Sequence, residues 1–196
     1  MRKNNPKENI KMDKAVKRWI EEKSESFLRK AGIKEGQTIL DFGCNDGNYT
    51  ISAACIIGSK YKVYALDKEG KSLAKTIKTA KSKGLENVVG LLSSNELEIP
   101  LRSRSIDVVL LYDVLHRGYF PEQETREKVL QEVYRVLKPN GFISVYPTHL
   151  KKYGMTFNRI IDEIQNAGFN LERKFYKNLV HDDRLVKGCI FNFRKE

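Results

Sequence analysis

A loop between residues 41 and 47 is the stretch best suited to holding a ligand. The apolar run Thr38–Asp41 ends in an acid, and Gly43, Asn45 and Gly47 follow at alternate positions. Glycine lets a ligand approach the main chain closely, and asparagine tolerates the left-handed backbone conformation that glycine adopts freely. A second acid, Asp67, lies twenty residues beyond Gly47, at the end of the next apolar run. Its carboxylate could accept hydrogen bonds from the hydroxyls of a ribose.

Two common phosphate-binding motifs fit this loop poorly. A GxxxxGK[ST] phosphate loop is excluded, because no Lys-Ser/Thr pair follows Gly47. A GxGxxG dinucleotide motif has Asn45 at its middle glycine and lacks its third glycine, which leaves a nicotinamide dehydrogenase as a weak alternative. Asp41 would repel a pyrophosphate, whereas it would favour a ligand that carries an ammonium or a sulfonium.

The elements that position this loop alternate between strands and helices. An N-terminal helix is predicted over residues 10–32. The predicted strands are Thr38–Asp41, Tyr61–Leu66, Val88–Leu92, Ile106–Tyr112, Phe142–Tyr146, Phe169–Tyr176 and Leu185–Phe193, and the other helices are Gly47–Ile57, Gly70–Lys83, Gln123–Leu137 and Phe157–Ala167. This pattern predicts a doubly wound α/β fold, with a mostly parallel seven-stranded sheet, an antiparallel C-terminal edge strand and helices on both faces. We expect residues 1–9 to be a disordered tail and residues 10–196 to form one domain.

The composition is that of a soluble globular protein. Hydrophobic residues make up 40% of the 196 and charged residues 31%. The apolar runs are too short to span a membrane, the N-terminus does not resemble a secretory signal, and the three cysteines lack metal-ligand or disulfide spacing. We therefore expect a cytoplasmic protein with no metal site. The net charge of +11 makes a nucleic-acid partner possible, but Lys71, Lys75 and Lys78 are more simply a solvated helix face.

Four ordered segments resemble the class I S-adenosylmethionine-dependent methyltransferases. They are LDFGCNDGNYT from residue 40, VYALDKEG from residue 63, SSNELEIPLRSRSIDVVLLYDVLHR from residue 93 and EVYRVLKPNGFISV from residue 132. Together they cover roughly residues 36–146 in the family's order. The chain resembles most the compact branch of the family that acts on small molecules. The N-terminal helix over 10–32 would then serve as a lid.

The resemblance implies roles for individual residues. It places the methionine part of S-adenosylmethionine beside the 41–47 loop, the ribose hydroxyls on Asp67 and the adenine near Asn95 and Glu96. The transferable methyl group would face Tyr112 and Asp113. The cofactor-binding residues implied in this way are Asp41, Gly43, Asn45, Gly47, Asp67, Lys68, Asn95, Glu96 and Tyr112.

The acceptor side is expected after the fourth and fifth predicted strands. Asp113 and His116 follow the fourth strand, and His149 follows the fifth. These three are the candidate catalytic residues, and either histidine could act as a general base if the acceptor must lose a proton. His181 falls in the predicted turn between the last two strands and is expected on the surface.

The sequence favours a small or medium-sized methyl acceptor. The Asn/Asp-Pro-Pro-Tyr/Phe motif of the amine-methylating relatives is replaced here by LYDVLHR, and the chain has no appended RNA-binding module. Two alternatives stay open: an RNA or protein methyltransferase that uses the basic surface, and a non-catalytic domain that binds S-adenosylmethionine. Asn45 and Asn95, which depart from the family's pattern, are the reason to keep the second alternative.

Overall fold

Seven strands form one sheet in the part of the chain that the computed structural model describes, residues 14–93 and 97–196. The strands are β1 (Ile39–Phe42), β2 (Val63–Asp67), β3 (Val88–Leu92), β4 (Ile106–Tyr112), β5 (Leu137–Tyr146), β6 (Phe169–His181) and β7 (Arg184–Lys195). The α-helices are α1 (Lys14–Glu22), α2 (Ser24–Lys30), α3 (Asn48–Ile57), α4 (Gly70–Ser82), α5 (Gln123–Val136) and α6 (Phe157–Asn166), and a short 3-10 helix covers Lys151–Tyr153.

The sheet confirms the predicted α/β class. Its strand order is β3-β2-β1-β4-β5-β7-β6, and β1 to β5 run parallel. Strand β7 is antiparallel to both of its neighbours, β5 and β6. The antiparallel strand therefore lies one place inside the edge, and β6 is the outermost strand on that side.

Apolar side chains from the helices cover both faces of the sheet. On one face, α5 and α6 bury Val129, Val133 and Ile164 against β4 and β5. On the other face, α2 and α3 bury Leu28 and Ile57. The lysines predicted to be solvated on α4 are exposed. No helix of the described residues combines the length and the apolar character needed to cross a membrane.

The order of the strands fixes where a ligand can bind. Strand β1 lies between β2 and β4, so the chain leaves β1 to one side and returns to its other side. In doubly wound sheets, ligands bind outside the carboxyl ends of the strands at such a switch point. Asp41 on β1, Asp67 at the end of β2 and Asp113 just after β4 all lie at this edge.

The predicted N-terminal helix is two helices within its described part. The helix breaks at Lys23, between α1 and α2. The Ser24 hydroxyl donates to the carbonyl of Ile20 and accepts from Ser52 on α3, which ties the break to the body of the protein. Residues 1–13, including the predicted tail and the first residues of the predicted helix, lie outside the described part of the chain.

The end of the chain is more regular than the sequence suggested. Strand β6 continues to His181 rather than stopping at Tyr176, and it pairs with β7 from Phe169 to His181 with one register shift, between Leu171 and Arg173. A two-residue turn, Asp182-Asp183, joins them, and both residues have positive φ, 47° and 55°. This is the backbone that tight hairpin turns require, and aspartate tolerates it. The longer hairpin carries His181 to the ligand-binding edge of the sheet.

Residues 138–141, between the predicted helix and the predicted strand over 142–146, are part of β5. The pairing of β4 with β5 shifts register between Ile106 and Val108. Asn140, with a φ of 62°, absorbs the irregularity next to Pro139. The predicted strand over 142–146 thus continues a strand that begins at residue 137.

Candidate functional site

A cavity of about 470 Å³ opens at the carboxyl ends of β1, β2 and β4. This volume is within the range of roughly 300–1,000 Å³ that is usual for small-molecule sites. Among the described residues, the acids that line it are Asp41, Asp46, Asp67, Glu69, Glu98, Asp113, Asp182 and Asp183. These eight acids face a single lining lysine, Lys68, and no arginine. A chain with a net charge of +11 therefore has a cavity whose potential attracts cations.

Asn45 shapes the loop that forms the floor of the cavity. Its φ is 46°, which confirms that asparagine takes the left-handed conformation here in place of a glycine. Its N–H donates to Asp67 Oδ2 over 2.7 Å, and its carbonyl accepts from Thr76 Oγ1 over 2.9 Å. Gly43 (φ 77°) lines the cavity, and a Cβ at that position would come within 3.0 Å of Val114.

Gly47 supports the loop from behind. It is outside the set of described residues that line the cavity. Its φ is 79°, and a Cβ added there would lie 2.5 Å from the Thr76 side chain on α4. Glycine at this position therefore allows α3 to begin close to α4, and its role in shaping the pocket for the methionine part of the cofactor stays a prediction.

Asp67 is oriented by two backbone donors. Its Oδ2 accepts from Asn45, and its Oδ1 accepts from the N–H of Glu69 over 2.9 Å. Each carboxylate oxygen has a second lone pair, so Asp67 can accept two more hydrogen bonds from a ligand in the cavity. Its neighbour Lys68 places its ammonium 5.2 Å from the centre of the Tyr119 ring, at the rim of the same cavity.

Asp41 is a buried carboxyl at the bottom of the cavity. Thr50 Oγ1 donates to its Oδ2 over 2.5 Å. Burial raises the pKa of Asp41 to about 6; the hydrogen bond from Thr50 opposes the rise, and the charge of Asp67 adds to it. A cation bound beside Asp41 would favour its ionised form and relieve this cost.

Three tyrosines form one wall of the cavity. The rings of Tyr49 and Tyr146 each meet Tyr112 edge to face, at centroid distances of 4.9 and 6.4 Å. The Tyr112 hydroxyl pairs with Ser144 Oγ at 2.9 Å, and the Tyr49 hydroxyl donates to the carbonyl of Val180. Burial raises the pKa of Tyr146 to about 12, so this phenol is neutral near pH 7. Sequence reasoning missed Tyr49 and Tyr146, although Tyr146 could have been found from its place at a strand's carboxyl end.

The predicted lid segment lies behind this wall. Trp19 on α1 and Phe27 on α2 contact the Tyr49 ring at centroid distances of 6.2 and 5.9 Å. The cavity lining includes no residue of the described helices α1 and α2. This part of the segment supports the wall from behind, and a lid role stays a prediction.

The three predicted catalytic residues are neighbours, but only Asp113 lines the cavity. His116 is buried and stacks on Tyr153, with its Nδ1 accepting from the N–H of Gly118 over 3.0 Å. Its Nε2 lies 3.3 Å from Asp113 Oδ1. His149 Nε2 lies 3.8 Å from the same oxygen. Both histidines therefore lie next to the carboxylate of Asp113, although neither is among the described residues that line the cavity.

His181 is a site residue that sequence reasoning misplaced. The expectation that it lies on the surface is wrong: it lines the cavity, and 15% of its side chain is exposed. Its Nε2 is 3.1 Å from His149 Nε2, and its Nδ1 is 3.5 Å from Asp113 Oδ2. Nothing in the sequence near His181 signals these contacts, because they depend on where the hairpin of β6 and β7 ends.

The predicted adenine contacts, Asn95 and Glu96, lie outside the described residues. The segment that follows them is tied to α5. Glu132 accepts from the N–H of Ile99, and Arg135 donates to the carbonyls of Ile99 and Leu101. The Arg135 hydrogen bond lowers the pKa of Glu132, so this anchor stays charged near neutral pH.

Comparison with known proteins supplies the family. The sequence pattern of a family described as a methyltransferase domain matches residues 33–153, which include β1 to β5 and most of the cavity. The chain belongs to this methyltransferase family. The resemblance on which the site residues were assigned is thereby confirmed at the level of the family.

Individual relatives of the methyltransferase domain cover different shares of the chain. A demethylmenaquinone methyltransferase of Lactobacillus johnsonii is 30% identical over 62% of this chain, which spans about half (48%) of that protein's length. A probable cobalt-precorrin-6B C(15)-methyltransferase (decarboxylating) of Saccharolobus solfataricus is 32% identical over 85% of this chain and 79% of its own.

A solved structure shows the same fold along nearly the whole chain. The SAM-dependent methyltransferase from Aquifex aeolicus superposes with a TM-score of 0.68 at 24% identity, covering 90% of each chain. Because 90% of this chain is covered, the match extends beyond residue 153, where the family pattern ends.

Proposed function

We propose that this protein transfers the methyl group of S-adenosylmethionine to a small or medium-sized acceptor. The observation that carries the proposal is the charge of the cavity, with eight acids and one lysine at the carboxyl ends of β1, β2 and β4. S-adenosylmethionine carries a sulfonium and an ammonium but no phosphate, so it suits such a site. A dinucleotide would bring its pyrophosphate against Asp41 and Asp67.

The residues of the cavity fit this cofactor in order along the edge of the sheet. Asp67, at the end of β2, keeps free lone pairs for the ribose hydroxyls. Asp41, Gly43 and Asn45, at the end of β1, are placed for the cationic methionine part. The cofactor supplies the electrophilic methyl group. The chain's own contribution is to align the cofactor and the acceptor. Such positioning can lower the activation barrier of the transfer by roughly 7–11 kcal/mol.

The acceptor would enter from the side of Asp113, where Tyr112 and Tyr146 offer an apolar wall and His181 offers a polar contact. A small acceptor is supported by the relatives, whose names specify demethylmenaquinone and cobalt-precorrin-6B as their substrates. We place the protein in a cytoplasm, which is supported by its three free cysteines.

The decisive experiment is untargeted. The protein is incubated with S-adenosylmethionine labelled in its methyl group and with a metabolite extract, and the labelled products are identified by mass spectrometry. Label in a small molecule supports the proposal. Label only in RNA or protein, with RNA binding that weakens steeply with salt, would overturn the acceptor class. Tight cofactor binding with no labelled product would identify a non-catalytic domain.

Cofactor binding is expected to weaken in mild acid because of Asp41. With a pKa of about 6, this carboxyl goes from about nine-tenths ionised at pH 7 to about one-tenth at pH 5. Only the ionised form attracts the cationic cofactor. Isothermal titration calorimetry should therefore show about tenfold weaker binding of S-adenosylmethionine at pH 5 than at pH 7.

The Asp41→Asn variant is the control for the predicted pH dependence, and it also tests the cost of the buried charge. Its affinity for S-adenosylmethionine should be lower than that of wild type at pH 7 and should not fall further between pH 7 and pH 5. The folded pKa lies above the ordinary 3.8, so the stability that Asp41 contributes falls as the pH rises from about 4 to 6. Without ligand at pH 8, the variant should gain about 1–3 kcal/mol in free energy of unfolding. If the affinity of the variant for S-adenosylmethionine depends on pH as that of wild type does, Asp41 does not contact the cofactor.

Loss of His149 is expected to impair turnover more than cofactor binding. His149 contacts Asp113 and His181 on the acceptor side and lies outside the set of described residues that line the cavity floor. The His149→Ala variant should bind S-adenosylmethionine within about twofold of wild type, while its kcat falls by about 10²-fold or more. Wild-type turnover would exclude His149 from catalysis.

A further inference from the structure

We propose that Asp113, His149, His181 and Asp182 bind a divalent first-row transition metal ion at the acceptor side of the cavity. These four residues are called the His/Asp cluster below. They come from the ends of three elements: Asp113 follows β4, His149 follows β5, and His181 and Asp182 lie at the β6–β7 turn. One ligand atom from each lies within 4.8 Å of the others.

The distances within the His/Asp cluster suit a shared ion. The two Nε2 atoms of His149 and His181 are 3.1 Å apart, and each lies 3.5 Å from Asp182 Oδ2. His149 Nε2 is 3.8 Å from Asp113 Oδ1. Ligand atoms about 2.0–2.2 Å from a tetrahedral ion lie roughly 3.3–3.6 Å from one another. The cluster therefore needs side-chain shifts of only a few tenths of an ångström for most of these pairs.

The hydrogen bond between the two imidazoles does not compensate the charges of the carboxylates beside them. Facing Nε2 atoms can share one proton, so one of the two imidazoles must have its Nε2 unprotonated and offer its lone pair to the other. A metal ion satisfies both nitrogens through their lone pairs, and it neutralises the two carboxylates that flank them. Asp113, His149 and Asp182 also have positive φ values of 59°, 53° and 47°.

A second, independent observation points to the same place. His116 is buried, and its Nε2 has no hydrogen-bond partner among the described residues, although it lies 3.3 Å from Asp113 Oδ1. Since its Nδ1 accepts from Gly118, the neutral ring holds its proton on Nε2, which lies beside that carboxylate without forming a hydrogen bond to it. Thr148 Oγ1 contacts the same oxygen. Carboxylate ligands of metals are commonly oriented by outer hydrogen-bond donors of this kind.

The chemistry of the donors narrows the metal. Imidazole together with carboxylate favours Zn²⁺, Fe²⁺, Co²⁺ or Mn²⁺ over Ca²⁺ and Mg²⁺, which prefer oxygen ligands alone. Asp113, His181 and Asp182 line the cavity, so a fifth position of the ion, beyond its four protein ligands, would face it. If the protein has the proposed function, an oxygen of the methyl acceptor would bind the ion at this position. This part of the inference, which rests on the proposed function, predicts a hydroxyl or carboxylate on the acceptor.

The test is calorimetry of Zn²⁺ binding to tag-free, chelator-treated protein without cofactor, with Co²⁺ absorption spectra as a second readout. We expect one ion per chain and visible Co²⁺ bands that indicate nitrogen and oxygen ligands. His181→Ala and Asp182→Asn should each weaken Zn²⁺ binding by at least about tenfold. Asp183→Asn is the matched control, because Asp183 shares the turn and the positive φ but is outside the cluster; its affinity should stay within about twofold.

The outcomes separate this inference from the proposed function. The metal site is overturned if Zn²⁺ and Co²⁺ show no saturable binding, or if Asp182→Asn and Asp183→Asn lose equal Zn²⁺ affinity. Binding of S-adenosylmethionine is measured separately in the same chelator-treated protein, and its result does not depend on the metal. Binding of the ion by a protein that fails to bind S-adenosylmethionine would sustain the metal site and reject the proposed cofactor.

Discussion

Replacing Asp67 with alanine is expected to weaken binding of S-adenosylmethionine by about ten- to a thousandfold. The variant loses a charged acceptor for two ribose hydroxyls, and hydrogen bonds to charged groups contribute roughly 1.5–3 kcal/mol each. It also releases the N–H groups of Asn45 and Glu69, which Asp67 now holds in place. Calorimetric titration of the folded variant with S-adenosylmethionine measures the loss.

Asp46→Ala is the matched control for that experiment. Asp46 belongs to the same loop and lines the same cavity, but it is exposed and pairs with Lys75 on the outside. Its affinity should change by less than about threefold, because exposed ion pairs contribute roughly 0–1 kcal/mol. If both variants bind alike, or Asp67→Ala binds as wild type with an unchanged melting curve, Asp67 does not contact the cofactor.

Replacing Arg126 with methionine is expected to lower the free energy of unfolding by about 3–5 kcal/mol. Arg126 lies on α5 with no exposed surface, and two of its nitrogens donate to Glu163 over 2.8 and 2.7 Å. Its third nitrogen donates to the carbonyls of residues 120–122, next to the cavity rim. Without the guanidinium, the buried carboxylate and these carbonyls lose their partner. Urea denaturation followed by circular dichroism measures the change.

Two further variants distinguish the contribution of the buried Arg126–Glu163 ion pair from the cost of leaving the Glu163 carboxylate unpaired. Arg159 also contacts Glu163, but its own side chain is partly exposed, so Arg159→Ala should cost about 1 kcal/mol or less. The double variant Arg126→Met/Glu163→Leu should recover much of the loss, since it removes both charges together. A double variant no more stable than Arg126→Met would show that the carbonyl contacts, rather than the ion pair, carry the effect.

The fold was predictable from the sequence because its signals are local. Apolar runs that end in acids or glycines mark β1, β2 and β4, and their alternation with helices selects a parallel sheet. The position of Asp41 and Asp67 at one edge follows from that alternation, since parallel strands end on the same side. Even the left-handed backbone at Asn45 could be foreseen, because the residue type and its place in the loop both favour it.

The acceptor side depends on distances between segments that the sequence does not relate. Asp113, His149 and His181 lie at or just after the ends of three separate strands, with no ligand spacing that would connect them. Their contact requires β6 to run on to His181 and to turn within two residues, and the sequence pattern placed the end of that strand at Tyr176. In the same way, nothing local marks Arg126 as buried, because its partner Glu163 lies on another helix.

By itself, the sequence determined the class of fold, the edge of the sheet at which the cavity opens and two of the acids that line it, since each follows from periodicity and from residues next to one another in the chain. Only the tertiary structure decided that Gly47 packs against α4, that the cavity is strongly acidic within a basic protein, and that two histidines and two aspartates converge beside it. The physical reason is that burial and charge clustering are properties of surfaces assembled from distant segments.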